Sequence, residues 1–226
     1  MNFTEHAGKA ALRAAGIPVP DGLIARTPEE AADAARKIGK CVVKAQVPTG
    51  KRGKAGGIKL AGTPDEAAAH ARTILGMTIG EHIVETVLID PQVNIAREMY
   101  AAILNDPETQ GPLLLFSPEG GMDIEEIADA HPDALLQIPI NILKGLDEES
   151  LAAAVRRYDP PAAGAITDIL VKLYDAYRAS DAELIEINPL VQMRDGHFIA
   201  LDCKLTVDDS ALPRQEALAR TGSPDK

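Results

Sequence analysis

Apolar and polar positions along this chain follow two different periods, and the period switches at short Gly- and Pro-rich breaks. In "TEHAGKAALRAAG" apolar residues recur every three to four positions between Thr4 and Gly16, which predicts a helix followed by the chain-breaking "IPVP". "RTPEEAADAARKIG" and "GTPDEAAAHARTILG" share one opening: Thr27 or Thr63, then Pro28 or Pro64, then Glu30 or Glu66. That is a capping box with proline in the first turn, and Gly39 and Gly76 mark the two ends. The echo suggests an internal repeat, but a shared capping rule is enough to produce it. "DEESLAAAVRRY" and "AAGAITDILVKLYDAYRAS" carry the same helical period on either side of "DPP".

Strand patterns occupy "CVVKAQ", "GIKLAG", "HIVETVLI", "IAREMYAAIL" and "PLLLFS", the last almost wholly apolar and so expected inside a sheet. "AELIEINPLVQMRDGHFIALDCKL" reads as two strands around "RDG". Several strands follow one another in hairpin order, with helices interspersed. This predicts an α+β protein of two lobes rather than a doubly wound parallel sheet. The folded region is expected over residues 1–212, with an inter-lobe strand region near 80–105. The stretch "RQEALARTGSPDK" has no core pattern, so 213–226 is expected to be a tail or linker.

Composition narrows the function classes. With 23 Lys and Arg against 34 Asp and Glu, the formal charge is −11, which argues against nucleic acid or a membrane surface as the partner. No apolar run approaches the roughly 20 residues of a membrane span. Cys41 and Cys203 lie in strand patterns without disulfide or zinc spacing, so a reduced, cytoplasmic protein is expected.

Against this acidic background, "AQVPTGKRGKAGGIK" stands out. Gly50, Gly53, Gly56 and Gly57 alternate with Lys51, Arg52, Lys54 and Lys59, a composition that lets backbone amides and cations surround a phosphate. Its register fits neither the P-loop nor the dinucleotide fingerprint. Flanking strands predict a mobile hairpin flap over a nucleotide; the alternative is an ordinary basic surface hairpin. Lys44, inside an apolar strand, either points to solvent or faces a cleft where its ammonium neutralises phosphate.

The far hairpin offers oxygen ligands. A two-residue turn at Asp195-Gly196 would set Asn188 against Cys203 and turn Asp202 to the other face. A three-residue loop, with Gly196 in the left-handed region, would set Asn188 opposite Asp202, with Cβ atoms about 4.5–5.5 Å apart. In that case the pair could hold one hard cation, completed by phosphates and water.

Taken together, "VVKAQV…GKRGKAGGIK", "IVE" with "IAREMY", "EGGMDIEEIA", "LIEINPLV" and "LDCKLTVDDSALPR" resemble the β subunit of succinyl-CoA synthetase, of the ATP-grasp superfamily. The stretches occur in the family's order and cover nearly the whole chain. The resemblance implies an ATP-grasp fold clasping ATP or ADP (or GTP or GDP) with Mg²⁺ between two lobes. It implies that Lys44, Arg52 and Gly53 contact phosphate, that Glu85 and Leu88 meet the nucleoside, and that Glu98 makes a further nucleotide contact. Asn188 and Asp202 match the magnesium ligands, so the three-residue loop is the expected one. Glu186 would stand, as the catalytic candidate, where the family's phosphohistidine approaches the nucleotide. Lys51 stands where the family has a glycine.

The implied reaction moves phosphate from ATP to a histidine, then to a carboxylic acid, whose acyl phosphate CoA attacks. Family members continue into a second domain carrying CoA and acid contacts, which this chain does not match. None of His6, His70, His82, His131 or His197 stands in a phosphoacceptor motif. The expected partner is an α subunit or CoA-binding ligase domain that carries the phosphohistidine, with "EGGMDIEEIA" as a candidate docking stretch whose paired glycines admit the partner's backbone. Two other readings remain at this point: a self-contained ATP-grasp carboxylate ligase, which needs an acid-binding arginine such as Arg52 or Arg97, and a non-catalytic nucleotide-binding subunit.

Overall fold

A computed structural model describes residues 1–220. The chain opens with α1 (Glu5–Ala14), then builds a small lobe from β1 (Leu23–Ala25), α2 (Pro28–Ile38), β2 (Cys41–Ala45), β3 (Ile58–Ala61), α3 (Pro64–Ile74), β4 (Thr78–Ile79), β5 (His82–Ile83) and β6 (Val87–Pro91). Residues 92–94 lead to the large lobe: β7 (Ile95–Asp106), β8 (Gly111–Ser117), α4 (Ile124–Ala130), β9 (Leu136–Pro139), α5 (Glu148–Tyr158), α6 (Ala163–Ala179), β10 (Ala182–Met193), β11 (Phe198–Ala200), β12 (Lys204–Val207) and α7 (Glu216–Ala219). No helix among the described residues is long and apolar enough to cross a membrane.

The small lobe is a four-stranded antiparallel sheet in the order β1-β6-β2-β3. Helices α2 and α3 cover one face over a core of Ala25, Ala34, Val43, Ala61, Ala71, Ile74 and Ile89. Small alanines on both helices let them approach the sheet closely, since interiors pack at crystal-like density. Each helix starts as its sequence requires: Thr27 Oγ1 accepts from the Glu30 amide and Thr63 Oγ1 from the Glu66 amide, both at 3.2 Å. The returning bond is displaced by one residue from the simple box. Glu30 takes the amide of Arg26 and Glu66 that of Gly62, each at 2.6 Å, so the residue before the cap is satisfied instead.

The large lobe is a six-stranded antiparallel sheet, β11-β10-β7-β8-β9, with β12 also on β10. β8 lies inside it, as its apolar run requires. Its main core gathers residues of α1, α5, α6 and one face of the sheet, including Leu12, Ile103, Phe116, Leu151, Leu170, Ile185 and Ile187. The other face carries Tyr100, Ala102 and Leu115 under Ile127 of α4. Since α1 packs into this core while β1 follows it into the small lobe, the first helix stands at the junction of the lobes.

Two sequence expectations change. β1 and β9 carry too few residues to show a period, and both form because a neighbouring strand offers an edge. Within 213–220 the chain is fastened to the large lobe: Gln215 donates to Ala179 O and Asp181, Arg214 pairs with Asp181, and Leu218 packs against the large core. These are polar anchors, which leave no apolar periodicity in the sequence. Residues 221–226 of the expected tail lie outside the described residues.

Candidate functional site

The two lobes enclose a cleft of about 620 Å³, within the range of small-molecule sites. Its apolar walls come from Val42 and Ile58 of the small sheet and from Met122, Leu201 and Leu205 of the large lobe. The strand period sets the polar floor. In β10 the odd positions Ile185 and Ile187 are buried in the core, so Glu186 and Asn188 turn to the opposite face.

Partner strands complete that floor. β11 and β12 pair with β10 in one common register, Val191 with Ile199 and Glu186 with Lys204. The loop between β10 and β11 is Arg194-Asp195-Gly196: the Met193 amide donates to His197 O, and Gly196 has φ +90°. This is the three-residue loop, and the amide of Leu201 donating to Pro189 O at 3.1 Å carries its register to Asn188 and Asp202. Both side chains line the cleft together with Glu186 and Lys204. The β10–β7 ladder shifts register between Ile187 and Leu190, which leaves Asn188 free of that ladder. Its Oδ1 accepts from the Gly121 amide and its Nδ2 donates to Met122 O, both at 2.9 Å.

Beneath the cleft lies a network of buried charges. Glu5 of α1 is fully enclosed: its Oε1 contacts Lys9 Nζ at 2.5 Å and Lys44 Nζ at 2.8 Å, and Oε2 lies 2.7 Å from Arg52 Nη1 without hydrogen-bond alignment. Asp90 of β6 contacts Lys9 at 2.5 Å and Lys44 at 2.8 Å. Arg52 Nη2 reaches Asp202 Oδ2 at 2.6 Å, and its Nη1 donates to Ala45 O. Lys44 also donates to Leu201 O at 2.7 Å. Three cations (Lys9, Lys44, Arg52) thus face three carboxylates (Glu5, Asp90, Asp202). Lys44 faces the cleft, not solvent.

The electrostatics follow from this packing. Burial alone would push the Glu5 carboxyl up, but Lys44, Arg52 and Lys9 together hold it well below the usual carboxylate range. Burial would likewise lower Lys44, and Glu5 and Asp90 outweigh it, so the ammonium stays protonated. Asp202 moves the other way: burial raises its carboxyl, Glu5 adds to this, and Arg52 only partly compensates. Burial also raises Glu186, against the Tyr100 hydroxyl that donates to its Oε2 at 3.0 Å.

The glycine-rich loop differs from the expected mobile flap. Arg52 is pinned by Glu5 and Asp202, and Lys54 reaches Asp123 at 2.7 Å, so ion pairs tie the loop to the large lobe. The exposed Lys54 pair contributes little; the enclosed Arg52 contacts are the strong ones. Each of these two cations finds a carboxylate distant in the chain. Lys51 has φ +62°, a left-handed conformation that costs a lysine more than a glycine.

Of the remaining expected contacts, Gly53 lines the cleft, whereas Glu85, Leu88 and Glu98 lie outside its lining. Glu85 is exposed and Leu88 is buried within the sheet, paired across from Lys44. Glu98 packs under the glycine pair 120–121. A Cβ on Gly120 would sit 2.3 Å from Met99 O, and one on Gly121, at φ +75°, would sit 2.0 Å from the Glu98 carboxylate. Those glycines therefore serve a close internal approach to β7. Glu5 and Asp90, which hold the cations, are the residues that sequence reasoning missed. An acid in the first turn of a helix is common for dipole reasons, so Glu5 gave no signal of its own.

Two α+β lobes closing on a cleft with a basic glycine loop on one side and an oxygen-lined hairpin on the other define an ATP-grasp domain. The ATP-grasp domain profile matches residues 2–192, and the chain belongs to that family. Among its relatives are the β subunits of succinate–CoA ligase, ADP-forming from Rubrobacter xylanophilus and GDP-forming from Thermus thermophilus, each 44% identical over 97% of this chain. The chain spans 58% of the length of each. Among solved structures, a dinucleotide-forming acetyl-coenzyme A synthetase from Ca. Korarchaeum cryptofilum superposes with a TM-score of 0.72 at 19% identity, covering 91% of this chain and 93% of that one. ATP citrate lyase from Methanothrix soehngenii gives 0.76 at 19% identity, over 100% and 55% of the two chains. At those identities the structures speak for the fold.

Proposed function

We propose that this chain is the Mg-nucleotide-binding part of an ADP-forming acid–CoA ligase, acting by phosphoryl transfer with a partner subunit or domain that carries a phosphohistidine and CoA. The observation that carries the reading is the enclosure of Lys44 and Arg52 on one side of a cleft whose other side holds Asn188 and Asp202. Kinship with succinate–CoA ligase β subunits at 44% identity supports the same reaction class, and relatives forming ADP and GDP leave the base open.

Phosphoryl transfer needs positioning and charge neutralisation more than covalent help. Lys44 and Arg52 would neutralise phosphate oxygens, with Gly53 allowing close backbone approach. Val42 and Ile58 offer the base an apolar wall, with Glu85 and Leu88 as the expected contacts to the base and ribose beside it. Glu98 would act one step back, through the glycine pair that Asn188 holds.

The donors suit magnesium. Asn188 and Asp202 supply oxygen only, and a carboxylate that already accepts from Arg52 keeps lone pairs for a cation. No group of three or more His, Cys, Asp or Glu among the described residues is placed to hold a metal. Two protein donors, with the rest from phosphate and water, is the usual magnesium arrangement. When bound, the ion would offset charge on the phosphates and orient them. Glu186, partly shielded beside Tyr100, would meet the incoming histidine. Of the two arginines considered as acid anchors, Arg52 is taken by the phosphate role proposed above and Arg97 is engaged with Asp159 and Gln192, which favours a partner-dependent ligase over a self-contained one.

Binding of Mg-ATP, Mg-ADP and Mg-GTP by calorimetry, with the melting temperature alongside, tests the reading. A ligand of the folded state must raise the melting temperature, by an amount that grows with ln(1 + [L]/Kd). Absence of any shift at millimolar nucleotide would overturn the nucleotide site. Acyl-CoA formed by the chain alone from ATP, CoA and a small acid would overturn the need for a partner.

A further inference from the structure

Glu5 belongs to none of the stretches that carry the nucleotide reading, yet among the described residues it is the one carboxylate in contact with Lys9, Lys44 and Arg52 together. We propose that Glu5 is a positioning residue, which holds the Lys44 ammonium and the Arg52 guanidinium at the fixed spacing a polyphosphate requires. The inference rests on the reading of the cleft as a nucleotide site and assigns to it a residue from outside the small lobe. α1 anchors Glu5 rigidly, because Phe3, Ala7 and Leu12 are buried in the large-lobe core. Lys44 and Arg52 stand on β2 and the loop after it, in the small lobe. One carboxylate from the large lobe therefore sets the placement of both small-lobe cations.

The other partners of the two cations cannot do this alone. Lys44 has Asp90 and a carbonyl, but among the described residues Arg52 has only Asp202 as a second anion, and Asp202 lines the cleft where a cation would compete for it. When Asp202 turns to a divalent ion, Glu5 is the anion that remains on Arg52. The charge of Glu5 opposes phosphate, but Lys9 sits 2.5 Å behind it and offsets that charge without lining the cleft. Placement therefore outweighs repulsion.

Glu5→Asp separates the two effects, since it keeps the charge and withdraws the carboxylate by one methylene. The readout is the Kd of Mg-ATP, Mg-ADP and AMP for the full chain, with unfolding stability measured beside it. The expected result is a loss graded by phosphate number: about tenfold or more for ATP, less for ADP and little for AMP. Glu5→Gln should give the same graded loss, and it carries the test if the aspartate variant does not fold. Wild-type affinity in Glu5→Asp together with tighter ATP binding in Glu5→Gln would show a pure charge effect and overturn the proposal. An equal loss for all three nucleotides, or failure of both variants to fold, would make Glu5 merely structural and overturn it as well. A wild-type chain silent toward every nucleotide would instead remove the underlying nucleotide reading, a result told apart by the wild type alone.

Discussion

Arg52 Nη2 lies 2.6 Å from Asp202 Oδ2, a contact between residues 150 positions apart that ties the glycine-rich loop to the far hairpin across the cleft. The same guanidinium touches Glu5, so Asp202 can leave it without stranding a bare buried cation. A residue that can be released in this way suits a cation ligand.

Asp202→Asn should therefore fold, with Arg52 still held by Glu5 and Ala45 O. It should lose most of the gain in nucleotide affinity that magnesium confers, about tenfold or more, while affinity measured with a chelator changes little. Parallel calorimetric titrations with Mg²⁺ and with a chelator check this. An unchanged magnesium dependence would remove Asp202 from the cation site.

Acid should destabilise the fold through Glu5. Its carboxyl is held below the usual value of 4.5, so the unfolded chain takes up its proton first as the pH falls. The stability from Glu5 is therefore complete above about pH 4.5 and is lost as the pH falls toward its lower folded value. Asp202 and Glu186 shift upward and so act in the opposite sense, and comparison with Glu5→Gln isolates the part that belongs to Glu5. Urea unfolding between about pH 7 and 3 should show a steep acid limb in the wild type. Glu5→Gln should start lower at neutral pH and fall less steeply below about pH 4.5. Parallel curves for the two proteins would contradict the network.

Gly120→Ala should destabilise the large lobe by about 2 kcal/mol or more, because the new Cβ would meet the Met99 backbone at 2.3 Å and main chain cannot move aside as a side chain can. Moving that loop also disturbs Asn188, which bonds to Gly121 and Met122. Chemical denaturation measures the loss, and a variant as stable as wild type would mean that the loop packs more loosely.

The two capped helices are legible in the residues themselves, and the far stretch is legible as a hairpin, with its register left between two loops until the structure shows the three-residue one. Each rests on neighbours close in sequence: Thr27 with Glu30, Thr63 with Glu66, and Met193 with His197 around Gly196. Local chemistry and a period of two or about 3.6 are enough to set such contacts. From the hairpin register it follows that Asn188 and Asp202 share a face.

Which charges meet is decided only by the tertiary structure. Periodicity shows that Lys44 interrupts an apolar strand, but what lies against its ammonium depends on how α1 packs across the junction of the lobes. Glu5, Asp90 and Arg52 come from a helix, a strand and a loop with no local relation, and their attraction becomes strong only once burial removes water from around them. The same desolvation turns the glycine-rich loop from an expected mobile flap into one fastened at Arg52. Sequence thus determined the helices, most strands and the candidate residues of the cleft, whereas long-range packing determined the faces they take and their partners, because ion pairing carries no period along the chain.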